Sequence, residues 1–408
     1  MPLPPMSDRI RTLLLEANGT HWAAVCIDTL GQGAFTRRDD KVSWVNRSRM
    51  IRKLFGDRYA DASYMADWRD AFYADRRLAV QTCNITNLFE YRNYRPKIQD
   101  YDLIVVLHSA AGDRMAILQH TAAWFQGRRG KLAMFIGNEY DLLKEKIAFA
   151  KSAGADFICT QLPLATARQL YSECSAEVIS MPHALNPRVY RERPGTRTVD
   201  VGFVGDLYER LIGDRERTDI VQFFDRRGAE HGLRCDIRAE RMPRDAWAAF
   251  LNSCRSVIGA ESGTYYLQPN SEALNCAKSY VRRQPGASFD DVHRECFART
   301  APALNGKAVS SRHFEPIGTK TCQVLIEGLY NGILEADTHY IAVKRDLSNI
   351  EDAISRLKDG EYRKRIVDTA YAHVLTAHTY DHRIAHLVDS VFSATGVAAP
   401  LPDTFTSL

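Results

Sequence analysis

The chain has 408 residues, 45% of them hydrophobic and 25% charged, with a formal net charge of +4. That length exceeds one ordinary core and implies two domains, and the composition is that of a folded globular chain rather than a disordered one. The mild basicity admits an anionic ligand or, at most, a peripheral contact with a membrane surface, and the lack of a Lys/Arg block argues against nucleic acid as a partner.

Nine cysteines without a C-x-x-C pair read as free thiols in a reducing compartment, not as a disulfide framework or a structural zinc site. No apolar run approaches the ~18 residues that span a bilayer. Leu13–Leu15 is too short a run for a signal-peptide core, so the expected compartment is cytoplasmic.

In chain order, "TLLLEANGT" reads as a buried first strand stopped by Asn18-Gly19. "AAVCIDTLGQG" is a second strand or part of a helix, and its Gly31-x-Gly33 lacks the rest of a dinucleotide fingerprint and reads as a turn. Residues 40–80 read as amphipathic helix, clearest at "RSRMIRKLFGD" and stopped at Gly56. Then come the strand "DLIVVLHSAAGD", a helix around Met115–Phe125, the strand "KLAMFIGNEY", the helix "LLKEKIAFAKSAG", the strand "DFICTQ", the helix "TARQLYSEC" and the strand "EVISMPHALNP". Strands alternating with helices in this way build a parallel sheet with right-handed crossovers.

Polar Asn186–Thr198, with two prolines, reads as the linker, after which a second βα series begins. Its elements are the strand "VDVGFVGDLYERL", a helix around Asp219–Gly228, the strand "LRCDIRA", the helix "RDAWAAFLNSC" and the strand "SVIGAESG". Less regular residues 265–308, with Pro269, Pro285 and Pro302, read as an insertion holding a helix near Phe289–Phe297. "RHFEPIGTK" then reads as a polar loop entering a short helix, followed by the strands "CQVLIEG" and "HYIAV" and by helix from Asp352 to Ala394. The expected domains are 1–190, 191–380 with its insertion, and a terminal helix and tail over 381–408. Two doubly wound halves leave a cleft where the carboxyl ends of both sheets reach one ligand.

The stretch "SSRHFE…GTKT…EG.YNGIL…HYI..K.DLSNIEDAI", with the ending "HTYDHRIAHL", resembles the signature of the CgeB-like (spore-maturation type) glycosyltransferases of the GT-B fold. The resemblance implies an α/β protein of two Rossmann-like doubly wound domains facing a central cleft, the C-terminal helix returning to the N-terminal domain. It implies a hexosyltransferase-type enzyme that moves a sugar from a UDP- or GDP-linked donor, with retention, to a carbohydrate, lipid-linked or protein acceptor. Surface polysaccharide biosynthesis or protein glycosylation would be the usual setting. A sugar-nucleotide 2-epimerase of the same fold and a non-catalytic nucleotide-sugar-binding protein are the alternatives.

Chemistry-bearing residues cluster at expected strand ends. In "GFVGDLYERLIGDRER", Gly202 and Gly205 permit close backbone approach at a strand end where helix amides favour phosphate. Each of Arg210, Arg215 and Arg217 alone reads most simply as a solvated helix face. As a group beside a glycine turn they favour a diphosphate, and the resemblance assigns that role to Arg217 and then Arg210. Retaining members of the fold carry Glu-(seven residues)-Glu, but counting back from Glu315 lands on Lys307. The reading adopted is a split motif: Glu261-Ser262-Gly263 supplies the first half, toward the donor sugar, and Glu315 the second, toward the ribose. Arg312, His313 and Lys320 accompany it, the two cations toward phosphate oxygens.

In the first domain Asn18, His108, Asn138, Glu139 and His183 fall at strand ends. A histidine there is more often a satisfied hydrogen-bonder than a functional group. As a set, Glu261, Glu139 and His183 are the candidate catalytic groups, and Asn18, His108 and Asn138 the acceptor-side groups. The Asp-x-Asp at Asp100-Tyr101-Asp102 enters its strand at the amino end, the wrong edge for a ligand. No metal and no cofactor besides the donor substrate is therefore expected.

Overall fold

The computed structural model describes residues 9–18, 22–30, 63–112, 115, 117–239, 241–298 and 303–392. The expectations for Gly19, for Gly31-x-Gly33 and for the part of the 40–80 helix before residue 63, Gly56 included, lie outside these residues. The chain divides into two compact units, Met1–Met181 with Gln268–Ser271, and Pro182–Leu267 with Glu272–Leu408.

In the first unit six parallel strands, β1 (Ile10–Glu16), β2 (Leu78–Asn84), β3 (Leu103–Val106), β4 (Lys131–Phe135), β5 (Phe157–Thr160) and β6 (Glu177–Ser180), lie in the order β2-β1-β3-β4-β5-β6. Leu13–Leu15 and Leu103–Val106 are fully buried, as continuous apolar runs must be when helices cover both faces of a parallel sheet. Leu14 stands opposite Thr82 on one side and Val105 on the other. The strand order therefore reverses at β1, and the carboxyl ends of β1 and β3 form a topological switch point. Asn18 and His108 follow those two strands.

Several local expectations change here. Of the two readings of "AAVCIDTLGQG", the helix is the one found, over Trp22–Leu30. From residue 63 to residue 80 the chain is not one helix: a helix covers Ser63–Ala74, and Leu78–Asn84 is a strand paired with β1. The β-branched and polar composition of "LAVQTCN" suits a pleated, half-buried surface better than a helix. The helix around 115–125 is instead two 3-10 turns, Leu118–His120 and Ala122–Phe125. Between them the Thr121 hydroxyl donates to the Leu118 carbonyl at 3.0 Å, a local bond that competes with helix propagation.

In the second unit five parallel strands, β7 (Val199–Val204), β8 (Cys235–Arg238), β9 (Cys254–Gly259), β10 (Cys322–Ile326) and β11 (Ile341–Val343), lie in the order β11-β10-β9-β7-β8. The period of two sorts their side chains between two cores. Val201, Phe203, Ile258, Val324 and Ile326 pack with Ile220, Phe224 and Ile354. Val204, Val257 and Leu325 pack on the other face with Trp247, Leu251, Phe314 and Ile317. Because β7 pairs with both β8 and β9, its carboxyl end and that of β9 make a second switch point, and Gly205 and Glu261 lie just beyond it.

"RHFEPIGTK" is not a polar loop. Ser311–Gly318 is helical with seven of its eight residues buried, capped by reciprocal Ser310 and His313 hydrogen bonds. Arg197 fixes its far end, donating to the carbonyls of Thr319 at 2.7 Å and Cys254 at 2.5 Å. The insertion holds two helices, Glu272–Arg283 and Phe289–Cys296, where one was expected. A disulfide between Cys276 and Cys296 joins them, so the cysteines are not all free thiols.

The insertion closes at a neck of backbone pairs, Ser262 with Ala308, Thr264 with Gly306, and Leu267 with Leu304. Three helices follow β11: Ile350–Lys358, Gly360–Ala377 and Tyr380–Phe392. The last is counted with the second unit, and its Arg383 donates to the Pro182 carbonyl at 3.0 Å. Among the described residues no helix is long and apolar enough to cross a membrane.

Gly318 abuts the Tyr190 carbonyl, and a Cβ there would also lie 2.5 Å from Leu185 Cδ1. Gly318→Ala should therefore destabilise the second unit by about 1–3 kcal/mol, read as a lower urea midpoint. An unchanged midpoint would show that the 185–190 segment yields to the methyl group.

Candidate functional site

The carboxyl edge of β7 and β9 gathers most of the donor-side residues singled out in the sequence. β7 leads through Gly205 to the helix Glu216–Arg227, so that helix begins at this edge, and so does Ser311–Gly318, which feeds β10. Arg217, in the first turn of the former, donates to the Tyr208 hydroxyl at 2.7 Å and to Ser262 Oγ at 3.3 Å, with its guanidinium 5.2 Å over the Tyr208 ring. Arg312, in the first turn of the latter, donates to the Val204 carbonyl at the end of β7 and lies 4.4 Å over the Trp247 ring. Two cations thus reach one sheet edge from two helix starts.

Two acids sit beside them. Glu261 is buried, and one of its oxygens accepts the Tyr330 backbone N–H at 2.6 Å. Burial pushes its carboxyl above the ordinary value, against the N–H groups of Tyr330 and Leu329 and the charge of Lys307. Glu315, 1% exposed, accepts the Trp247 indole N–H at 2.6 Å. His313 spans the site: its Nδ1 accepts from the Ser310 N–H at 2.9 Å, which leaves Nε2 to donate to the Ala260 carbonyl at 3.2 Å. Burial pulls its pKa down to about 3, so the ring is neutral and fixes the backbone just before Glu261.

The neck pairs the chain that follows Glu261 with the chain that leads to Glu315. Ser262 and Ala308 exchange both backbone hydrogen bonds at 2.9 Å, and Gly263, at φ +89°, lies against the Gly306 carbonyl. Lys307, 2% exposed, pairs with Asp214 at 2.9 Å and Glu216 at 3.3 Å. Glu216 also accepts from the Tyr265 hydroxyl at 2.6 Å and pairs with Arg345 at 3.1 Å. Burial raises the Asp214 pKa, and Lys307 opposes the rise.

Asp214, Glu216, Tyr208, Tyr265 and Trp247 were not singled out in the sequence. Lys307 was met only as a departure from spacing, although that count was the signal that pointed to it. "GDRER" had drawn attention to its arginines, while its two acids hold the buried lysine.

Other expected residues fall elsewhere. Arg210 donates to the Pro285 and Ala287 carbonyls, both at 3.1 Å, and so serves the insertion. Lys320 precedes β10, at the amino edge of the sheet, and pairs with Asp368 at 3.1 Å. His183 lies 3.4 Å from the Tyr380 hydroxyl, beside the last helix.

In the first unit Glu139 is buried and accepts from the Thr160 and Tyr171 hydroxyls, both at 2.6 Å, and from the Gln161 N–H at 3.1 Å. Burial raises its pKa against those three donors. Asn138, at φ +45°, offers its carbonyl to Lys146. Asn18 donates to Asp28 at 3.4 Å. His108 is packed among Tyr64, Trp68 and Phe135, and burial lowers its pKa to about 3. Asp102 is tied to Arg11 at the amino end of β3. Among the described residues no group of three or more His, Cys, Asp or Glu side chains is placed to hold a metal ion.

Residues 238–389 match the family described as "Glycosyl transferase-like", so this stretch is a glycosyl transferase-like domain. No curated protein matches the chain in sequence. Among solved structures the chain is similar to an α-glucosyltransferase in complex with UDP and a 13-mer DNA containing an HMU base, at 9% identity and TM-score 0.54 over 94% of this chain and 99% of that one. It is also similar to sucrose-phosphate synthase from Thermosynechococcus elongatus, at 10% identity and TM-score 0.49, covering 95% of this chain and 100% of that one. A third is HepE from Anabaena in complex with UDP-glucose, at 12% identity and TM-score 0.45, covering 94% and 100%. The α-glucosyltransferase likeness is one of fold: the chain is an α/β protein of two parallel Rossmann-like sheets, of the GT-B type.

Lys307→Met should cost about 3–5 kcal/mol, because it takes from Asp214, whose side chain is 9% exposed, the cation it is paired with. The sign with pH follows from Asp214. Its folded pKa lies above its unfolded value, so its ionised form destabilises the fold as pH rises through that interval. Without Lys307 the interval widens. The stability deficit of the variant should therefore be largest at neutral pH and shrink on acidification, read from urea midpoints across pH. A deficit independent of pH would separate Lys307 from Asp214.

Proposed function

Taking the glycosyl transferase-like domain over residues 238–389 as premise, we propose that the protein transfers a sugar from a UDP- or GDP-linked donor bound by its second unit. The observation that carries this is the convergence of Arg217 and Arg312 on the carboxyl edge of β7 and β9, beside Ser262 and the buried Glu261. A departing nucleoside diphosphate gathers negative charge as the sugar–phosphate bond breaks. Guanidinium groups held in place on aromatic rings, together with the N–H groups of two helix starts, meet that charge without reorganising. UDP is the nucleotide bound by the α-glucosyltransferase that shares the fold, and it is the first donor nucleotide to test.

Within this reading Glu261 lies against the donor sugar and stabilises the positive charge that develops on its ring. Its bond to the Tyr330 N–H fixes the direction of the carboxylate. Glu315 meets the ribose: a carboxylate has about four acceptor positions, so the indole of Trp247 and a ribose hydroxyl can share it.

Retention of configuration, independence of metal, and a carbohydrate, lipid-linked or protein acceptor complete the proposal. Narrower kinship with the CgeB-like enzymes rests on the motif around Ser310–Glu315. Glu139, Asn138, Asn18, His108 and His183 have the weaker claim on chemistry, since the bonds and packing around them are those of structural residues.

Arg217→Ala should weaken UDP binding by about ten- to a hundredfold, the worth of one charged hydrogen bond, and leave uridine binding nearly unchanged, as read by isothermal titration. Equal losses for UDP and uridine would remove Arg217 from the phosphate site. Turnover of a sugar nucleotide should persist in EDTA. Loss on chelation with recovery in magnesium or manganese would sink the metal-independent mechanism.

A further inference from the structure

Beyond its neck the insertion rests on a very small core, whose buried members are Ala273, Ala277, Val292, Cys296 and Phe297. A core of that size does not hold two short helices by burial alone, and small structures of this kind need a covalent staple. The Cys276–Cys296 disulfide is that staple, joining Glu272–Arg283 to Phe289–Cys296.

The stapled element also grips the stretch that delivers Arg217. Arg210 donates to the Pro285 and Ala287 carbonyls, and Leu211 packs against the insertion core. The Thr264 hydroxyl donates to the Ile212 carbonyl at 2.6 Å. Gly213 lies so close to Phe297 that a Cβ would stand 2.6 Å from the ring. Arg215 sits 5.5 Å over the Phe289 ring, and Glu216 accepts from Tyr265. From Arg210 to Arg217, side chains of the insertion or its neck meet nearly every turn of the chain.

We propose that the Cys276–Cys296 disulfide is a redox-controlled clasp: a dithiol reductant that opens it loosens residues 209–217 and weakens nucleoside-diphosphate binding. The binding half of this rests on the reading of Arg217 given above. Cys276 is partly exposed and Cys296 buried, which sets the direction of attack. The reductant thiolate attacks Cys276 Sγ, and Cys296 Sγ leaves with the bonding electrons and takes a proton. The second thiol of the reductant then displaces Cys276, which leaves as a thiolate and takes the second proton. One protein disulfide becomes two thiols, one dithiol becomes a disulfide, and two electrons and two protons balance. Opening a bridge across 20 residues of sequence returns loop freedom to the insertion, and apparent affinity falls with the fraction of molecules that keep the clasped form.

The test uses the full chain in three forms: oxidised, treated with dithiothreitol, and as a Cys276→Ser/Cys296→Ser double variant. Unfolded without reductant, the oxidised chain should show seven reactive thiols, its nine cysteines less the bridged pair. Nine would overturn the proposal.

On reduction, hydrogen exchange should accelerate over 208–217 and 264–298, and the double variant should exchange at the reduced rate with or without dithiothreitol. The dissociation constant for UDP should rise about tenfold or more in the reduced and double-variant proteins, as a fall of the clasped fraction to a tenth requires. Unchanged exchange over 208–217 would overturn the clasp, and faster exchange with an unchanged dissociation constant would overturn its link to binding. An oxidised chain that binds neither UDP nor GDP sinks the donor-site reading instead, and the exchange rates then decide the clasp by themselves.

Discussion

The second unit depends on a backbone contact between two glycines. Gly263 lies against the Gly306 carbonyl, where a side chain at 263 would have no room, and its φ of +89° is one that other residues rarely adopt. That approach lets Ser262 and Ala308 exchange hydrogen bonds, so the chain can leave the sheet edge after β9, build a stapled helical hairpin, and return in register. Without the neck, Glu261 and the helix Ser311–Gly318 would be joined by a long, slack connection. With it, His313 can bond the Ala260 carbonyl across 53 residues of sequence. A neutral, buried ring fixes the carbonyl just ahead of an acidic side chain.

Buried charge at this edge is balanced locally. Arg312 reaches a strand-end carbonyl and an aromatic face, Arg217 a phenol and a serine, and Glu261 a backbone amide. Dipoles and rings hold a cation without cancelling it, and Glu315 adds its charge beside Arg312. Lys307 is held more closely, a cation enclosed by two acids.

The sheets were legible because parallel strands buried on both faces write themselves as apolar runs: "LLL", "LIVV" and "CQVLI" each marked a strand of the structure. β2 was not legible, because "LAVQTCN" alternates and follows a helical pattern without a break. "RHFEPIGTK" failed for a different reason. Arg, His and Glu look exposed until their partners are known, and Val204, Ala260 and Trp247 lie 53 to 108 residues away in sequence. The disulfide was hidden for the same reason, since nothing in the spacing of Cys276 and Cys296 distinguishes them from the other cysteines before the helices are paired. Of the residues gathered at the edge of β7 and β9, Gly205 and Glu261 stood out in the sequence by their strand ends and Arg217, Arg312, His313 and Glu315 by their motifs. Asp214, Glu216, Tyr208, Tyr265 and Trp247, which matter through their partners, did not.

The position eight residues before Glu315 makes the last point about charge. The resemblance leads one to expect a glutamate there, and the chain has Lys307. Replacing an acid by a base at a donor site would ordinarily invert its field. In the split reading Glu261 supplies that acid, and Lys307 is enclosed instead by Asp214 and Glu216 within 3.3 Å. Arg345 also pairs with Glu216, at 3.1 Å, so two cations meet two acids and the cluster balances its own charge. The lysine thus belongs to the segment 214–216 that the insertion holds in position. A count of motif residues along the chain cannot see such a pairing, because the acids lie some ninety residues earlier.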